Sequence, residues 1–322
     1  MTILITGGAG LIGLYTARRF ADEGKKVVCL DLLERRAHAA YILGDAAGDI
    51  PHLQGDVLDF EALSQLVRDH RIEGIIHAAA MVNENVFLAN PLMGVRVNTI
   101  GTANMLELAR VHGLRRVVFC SSGTIYGPSL GKPLVEGDED PKGFYAETKN
   151  ISERLMGQFR EKFQIDSVAA RISSVYGPGK VWNMDHYPMQ RLCYHALQGK
   201  PFEMAEGGDY VRDFTYGPDA ALGIALAYEK KTLAHTAYNI AVGELFSVAE
   251  VGDILNRIVP GSALKVGSGS FEGNMALAGS LRGALDITRA RQDLGFEPEF
   301  KLEKGLTAYM EYLQAHPEVM AG

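Results

Sequence analysis

Tyr145 and Lys149 stand four residues apart in Tyr145-Ala146-Glu147-Thr148-Lys149, which continues through Ile151, Leu155 and Phe159 at helical spacing. On a helix the two share one face. A phenol titrates near 10 and is a poor base at neutral pH. An ammonium beside it stabilises the phenolate and brings that value toward the working range. Earlier in the chain, Ser121-Ser122-Gly123-Thr124-Ile125-Tyr126-Gly127 follows the apolar run Arg116-Val117-Val118-Phe119-Cys120, placing hydroxyls at a strand's carboxyl end. An open α/β sheet binds its ligands at that edge. Tyr-x-x-x-Lys alone also describes a surface lysine beside a half-buried aromatic. Its weight comes from the elements around it.

Those elements begin at residue 2. Thr2-Ile3-Leu4-Ile5-Thr6 is a short apolar run, Gly7-Gly8-Ala9-Gly10-Leu11-Ile12-Gly13 follows at once, and Leu14, Ala17, Phe20 and Ala21 then recur at helical spacing until Gly24. Strand, glycine turn and helix in this order bring bare backbone against a pyrophosphate and aim the helix N-terminus at it. The expected cofactor contacts there are Gly7, Gly10, Leu11, Ile12 and Gly13. Asp31 closes the next strand, Lys26 to Leu30, 18 positions after Gly13. A carboxylate at that place grips the adenosine ribose hydroxyls and repels a 2′-phosphate, although a turn acid or helix cap would also stand there. Arg35 and Arg36 do not directly follow Asp31, so NAD is expected over NADP.

His52-Leu53-Gln54 reads as a third strand, with Asp56 and Val57 just past its carboxyl edge, where adenine would be met. Gly74-Ile75-Ile76-His77 reads as a buried parallel strand, and Ala78-Ala79-Ala80 supplies small side chains under the cofactor. His77 is taken as structural. A helix over 97–112 leads to the strand that ends in Ser121 and Ser122. Strands and helices alternate, so the fold class is α/β, a Rossmann-type doubly wound parallel sheet.

With 322 residues, 47% of them hydrophobic, the chain suits one large α/β unit or two interlocked lobes. A net charge of −7 argues against nucleic acid or an anionic membrane as the main partner. Cys29, Cys120 and Cys193 are isolated and odd in number, which points to a reducing compartment and no disulfide framework. No apolar run approaches the ~20 residues of a membrane span. The first strand at Thr2 leaves no room for a leader, so a cytoplasmic protein is expected. The nine histidines show no ligand spacing with carboxylates or cysteines, and no metal site is expected.

Together, Gly7 to Gly13, Asp31, Ser122 with Thr124, and Tyr145-x-x-x-Lys149 resemble the extended short-chain dehydrogenase/reductase superfamily. Within it, the chain is most similar to the NAD-dependent epimerase/dehydratase family acting on nucleotide sugars. The likeness implies that Tyr145 is the acid/base, Lys149 its pKa modifier and a ribose ligand, and Ser122 a hydrogen-bond partner of the reacting hydroxyl. Arg171 to Gly179 resembles the family's Arg-x-x-Asn-Val-Tyr-Gly-Pro segment. Arg212-Asp213-Phe214 resembles the motif whose arginine meets the substrate diphosphate. The implied substrate contacts are Ser122, Thr124, Tyr145, Ser174 and Arg212. Tyr238 to Ile240 and Asp286 to Ala290 resemble closing elements of the smaller lobe. The implied division is a cofactor domain of 1–172 plus about 213–240, and a smaller α/β substrate lobe of about 173–212 and 241–322.

Two departures bear on the substrate. Ser174 replaces an asparagine that touches the diphosphate, and Lys180 to Gln190, with Trp182 and His186, matches no sugar-nucleotide pattern. The subclass follows from what is missing. The family's 4,6-dehydratases place Asp-Glu after the active-site hydroxyl, where this chain has Gly123-Thr124, closer to the Ala-Thr of a 4-epimerase. The expected reaction is transient oxidation. Tyr145 takes a sugar hydroxyl proton while hydride leaves for NAD, the keto sugar turns over, and hydride returns to its other face. The alternatives are a net dehydrogenase of a free sugar, sugar acid or polyol, and a non-catalytic NAD-binding sensor. Helices 97–112 and 145–163 carry more apolar positions than one sheet face needs. In the resembled family they pair with their copies, so a homodimer is expected.

Overall fold

Ile3, Ile5, Val118, Val168 and Ala170 face one hydrophobic core, while Leu4, Val117, Phe119 and Ala169 face another. That alternation of period two, on strands buried along both faces, is what a parallel sheet covered by helices on each side requires. The computed structural model describes residues 1–34, 39–82, 84–129, 131–179, 188–269 and 283–320.

The first half runs β1 (Thr2–Thr6), α1 (Leu11–Asp22), β2 (Lys26–Asp31), α2 (Ala39–Leu43), β3 (His52–Gln54), α3 (Phe60–Asp69) and β4 (Ile72–His77). It continues through α4 (Glu84–Ala89), α5 (Pro91–Val95), α6 (Gly101–His112), β5 (Val117–Ser122), α7 (Phe144–Phe163) and β6 (Ser167–Ile172). A π-helical turn over Arg96–Ile100 joins α5 to α6. The expected helix over 97–112 is therefore two segments run together.

The second half comprises β7 (Ser174–Tyr176), α8 (Pro188–Gln198), β8 (Phe202–Met204), β9 (Val211–Arg212), β10 (Phe214–Tyr216) and α9 (Gly217–Glu229). After these come β11 (Ala237–Ile240), β12 (Phe246–Ser247), α10 (Val248–Ile258), β13 (Leu264–Val266) and α11 (Leu302–Ala315).

Seven parallel strands form the main sheet in the order β11-β6-β5-β4-β1-β2-β3. The order reverses between β1 and β4. A crevice opens above the carboxyl ends of the strands at such a switch point, and ligands bind there. Helices α1 and α9 pack together on one face. Met105, Leu106 and Leu108 of α6 and Met156 of α7 enter the core on the other. Gly74 lets that sheet be approached closely, since a Cβ there would lie 2.2 Å from the Tyr228 hydroxyl of α9.

A second core gathers Leu192 and Cys193 of α8, Val251 and Leu255 of α10, and Leu306 and Leu313 of α11. Tyr176, Phe214 and Tyr216 join it from β7 and β10. Two-stranded sheets β7–β10, β9–β12 and β8–β13 brace this region. Leu285, Ile287, Leu294 and Phe296, by contrast, pack into the first core. No helix among the described residues is long and apolar enough to cross a membrane.

Candidate active site

Ser121 and Ser122 end β5 as buried residues, and the chain turns at once into a 3₁₀ segment over Gly123–Tyr126. The Ser122 hydroxyl caps that turn by accepting the Thr124 N–H at 3.1 Å. Its own O–H is left to donate. Thr124 Oγ1 is buried without a hydrogen-bond partner. A buried hydroxyl costs free energy unless something pairs with it, so the Thr124 oxygen marks a place for a polar ligand.

Helix α7 starts after Gly143, whose φ of 88° is open to glycine. Tyr145 is half-buried in its first turn. Lys149, one turn later, is 2% exposed, and its Nζ donates to the Cys120 carbonyl at 2.7 Å. The same Nζ lies 4.5 Å from the Phe119 ring centroid and 5.8 Å from that of Tyr145. Burial pushes the Lys149 ammonium down to about 8, while Cys120 and Glu153 favour its charge. At that value it is mostly charged at neutral pH. His77, at the end of β4, is fully buried, and its Nδ1 pairs with Thr6 Oγ1 at 2.7 Å.

Ser122, Thr124, Ser174 and Arg212 line one cleft of about 410 Å3, counted with its open mouth. The sequence separates them by up to 90 residues, and the fold brings them together. Ser174 enters on β7, its N–H donating to the Asp213 carbonyl at 3.2 Å. Arg212 enters on β9, 8% exposed, its Nη1 donating to the Val211 carbonyl at 2.8 Å and its guanidinium 4.1 Å from the Tyr210 ring centroid. Burial lowers the Arg212 pKa, and Tyr210 opposes that. Tyr145 is not among the residues that line this cleft. Trp182, His186, Arg35 and Arg36 lie outside the described residues.

Sequence reading missed Asp213 and Leu285 as cleft residues. Asp213 Oδ1 accepts the Val242 N–H, and Oδ2 accepts those of Gly243 and Leu285, at 3.1 to 3.2 Å. Burial raises its carboxyl to about 7 against those three N–H groups. Leu285 lies over Gly123, where a Cβ would come within 3.1 Å of Cδ1. The Arg212-Asp213-Phe214 segment is the signal that could have found Asp213, whereas Leu285 meets Gly123 from a segment distant in the chain and has none.

The glycine loop passes a separate test for a dinucleotide. Gly7 has φ +71°, and a Cβ there would meet the Ala79 N–H nitrogen at 2.6 Å. At Gly13 a Cβ would lie 2.2 Å from the Gly7 carbonyl oxygen. No side chain caps α1 at Gly10, so the N–H groups of its first turn, from Leu11 and Ile12 on, have no side-chain oxygen seated on them by the cap. These features fit a pyrophosphate. Asp31, half-buried at the end of β2, accepts the Ala9 N–H with Oδ2 and the Leu33 N–H with Oδ1, both at 3.0 Å. Each oxygen keeps a lone pair for a ribose hydroxyl. Ala78, beneath the loop, donates its N–H to the Thr6 carbonyl at 3.0 Å. Asp56 is exposed and accepts the Leu58 N–H, while Val57 is buried against Gly101. NAD fits this cradle.

The model of the NAD-dependent epimerase/dehydratase family matches residues 3–241. The UDP-glucuronate 4-epimerase of Thermodesulfobacterium geofontis is 27% identical, the alignment covering 98% of this chain and 97% of that protein. The UDP-glucose 4-epimerase of Halalkalibacterium halodurans is 28% identical, with 98% and 97% covered. Among solved structures, the UDP-glucose 4-epimerase of Thermotoga maritima with UDP-glucose superposes with a TM-score of 0.84 at 25% identity, covering 98% of this chain and 99% of that one.

Proposed function

We propose that this chain, which belongs to the NAD-dependent epimerase/dehydratase family, inverts a sugar carbon of a nucleotide sugar, most simply C4 of a UDP-hexose or UDP-hexuronate. The observation that carries the reading is the end of β5, which presents Ser122 and Thr124 to the cleft and no carboxylate. Expelling water needs an acid at that edge. The one carboxylate among the described lining residues is Asp213, which stands between β9 and β10 rather than at the end of β5 and is held by three backbone N–H groups.

NAD, when bound, supplies a reversible hydride acceptor, which permits oxidation and re-reduction without net redox change. The chain's residues hold it and manage the proton. Gly7, Gly10, Leu11, Ile12 and Gly13 carry the pyrophosphate, Asp31 the adenosine ribose, Asp56 and Val57 the adenine end, and Ala78 the sheet edge beneath. Tyr145 takes the proton of the sugar hydroxyl and returns it. Lys149, charged at neutral pH, stabilises the phenolate and reaches the nicotinamide-side ribose. Ser122 donates to the same sugar oxygen and Thr124 to a neighbouring one. Ser174 and Arg212 hold the diphosphate.

The body around the main sheet is then the cofactor domain, about 1–172 with 213–240, and the region of the second core the substrate lobe, with Phe214 and Tyr216 crossing into the second core and Leu285 to Phe296 back into the first. The working unit is a homodimer in a reducing compartment such as the cytoplasm, a reading supported by three buried cysteines that form no disulfide.

A panel of UDP-sugars and free sugar acids, read by NADH absorbance and by product stereochemistry, tests the reading. The expected outcome is a C4 epimer with no net NADH. Wild type that ignores every nucleotide sugar but releases NADH with a free sugar acid would replace the epimerase with a dehydrogenase.

A further inference from the structure

Helix α7 is tied to strand β5 twice, from consecutive turns to consecutive residues. Lys149 Nζ donates to the Cys120 carbonyl at 2.7 Å, and Glu153 Oε1 accepts the Ser121 hydroxyl at 2.5 Å. Ser121 is the neighbour of Ser122, while Glu153 lies one turn beyond Lys149 and two beyond Tyr145. Residues spaced 145, 149 and 153 lie along one helix face. The second tie thus links the strand end that bears Ser122 to the face that bears Tyr145 and Lys149.

A third element fixes it. Arg171 of β6 is in register with Ser121, so the two project from the same side of the sheet. Its Nη2 donates to Glu153 Oε2 at 2.6 Å, and its Nε approaches both carboxylate oxygens at 3.1 and 3.2 Å. Its Nη1 donates to the Tyr126 hydroxyl at 2.9 Å and pairs with Glu139 at 2.5 Å. Arg171 and Tyr126 are 4% and 2% exposed. Burial alone would lower the Arg171 pKa, yet the Glu153 carboxylate holds the guanidinium above its ordinary range. A buried charge this well paired has few other geometries open to it.

We propose that Glu153, held between Ser121 and Arg171, is a positioning residue that sets the separation between Ser122 and the Tyr145–Lys149 face. The idea rests on the epimerase reading for its kinetic consequence and stands apart from it for its electrostatic one. The groups that bear on Lys149 are Cys120 on β5, His77 on β4, and Tyr145 and Glu153 on α7. Of these, Glu153 alone is an acid that Arg171 fixes in place. Removing its charge leaves the Lys149 ammonium less favoured, and removing the Ser121 hydroxyl leaves it unchanged.

The test compares the full-length wild type with Ser121→Ala and Glu153→Gln. Ser121→Ala keeps the Glu153–Arg171 pair, and in Glu153→Gln Arg171 retains Glu139, so both variants keep the buried guanidinium paired. Misplacing the reacting groups lowers kcat by about tenfold in each variant with KM for the sugar nucleotide held near wild type. Lysine 13Cε NMR, with the Lys149 signal assigned by Lys149→Met, follows the second consequence. The Lys149 midpoint falls in Glu153→Gln and stays in place in Ser121→Ala. Wild-type kcat in both variants, or a Lys149 midpoint indifferent to Glu153→Gln, overturns the proposal. Should wild type convert none of the sugars while the Lys149 shift appears, the epimerase reading falls and the tie between Glu153 and Lys149 stands.

Discussion

The Lys149 ammonium lies 5.8 Å from the centroid of the Tyr145 ring, close enough for its charge to bear on the phenol. In the proposed mechanism Lys149 sets how readily Tyr145 ionises, and Tyr145 does the proton transfer. Tyr145→Phe should fold and bind NAD, yet lose at least the ~100-fold that an acid/base group contributes. Lys149→Met should move the remaining pH–rate profile upward, since the phenolate loses its nearest cation. Turnover and NAD titration on the same preparations separate the two effects. Wild-type turnover in the Phe variant would remove Tyr145 from the mechanism. Arg212 is the matching case on the binding side. Charge-assisted hydrogen bonds to a diphosphate are worth about 1.5–3 kcal/mol. Arg212→Ala should raise KM for a UDP-sugar roughly ten- to a hundred-fold. The fall in kcat should be smaller, because the diphosphate lies away from the reacting carbon. An unchanged KM would assign Arg212 to packing against Tyr210 alone.

At the scale of elements, the ends of β1, β4 and β5 meet around one imidazole. His77 pairs with Thr6 on β1 and stacks on Phe119 of β5, with centroids 5.8 Å apart. Burial, helped by the Lys149 charge, pushes its pKa down from 6.5 to about 3. The unfolded chain therefore binds a proton there that the folded chain refuses. This contribution to stability is complete above pH 6.5 and is lost as pH falls toward 3, at about 1.4 kcal/mol per pH unit. Denaturant unfolding of wild type and His77→Gln between pH 4 and 7 isolates it, because the carboxylates titrate in both. The difference between the two proteins should shrink steadily on acidification. A constant difference would mean that His77 is protonated inside the fold.

What the sequence made legible at this scale was local. The glycine turn between β1 and α1, Asp31 at the end of β2, the hydroxyls after β5 and the Tyr145–Lys149 spacing are each written within a few consecutive residues. Glu153 and Leu285 were not legible, because each acts on a residue that another element supplies. Glu153 gains its role from Arg171 in β6, and Leu285 from Gly123, some 160 residues away. Composition marks only one of the places where the chain passes between cores. Phe214 and Tyr216 enter the second without a polar or glycine-rich linker, whereas Leu285 to Phe296 return to the first after the glycine- and serine-rich stretch 267–283.

For the whole molecule, the side of the sheet covered by α4 to α7 carries more apolar surface than its own core uses. Helix α7 packs on α4, α5 and α6. Around those contacts Leu92, Ile100, Val111, Phe144, Ile151 and Phe163 remain exposed, Leu92 at 69%. Single exposed apolar residues are ordinary, but a group of them on adjoining helices marks an interface. Phe87 stacked on Phe144 and Arg110 over the Phe163 ring tie α4 and α6 to the two ends of α7, which makes the face one surface. A second copy meeting it with its own α6 and α7 would form a two-fold four-helix contact, burying on the order of 1,200–2,000 Å2. Sedimentation at micromolar concentration should then show a species of twice 35.0 kDa. Ile100→Lys with Ile151→Lys places like charges across the two-fold and should yield monomer with unchanged circular dichroism. The elements that would hold the pyrophosphate and adenosine ribose of NAD are β1, α1, β2 and β4, none of which carries this face, so that monomer should still bind NAD. A wild type that sediments only as a 35.0 kDa particle would leave this apolar face without the partner proposed for it.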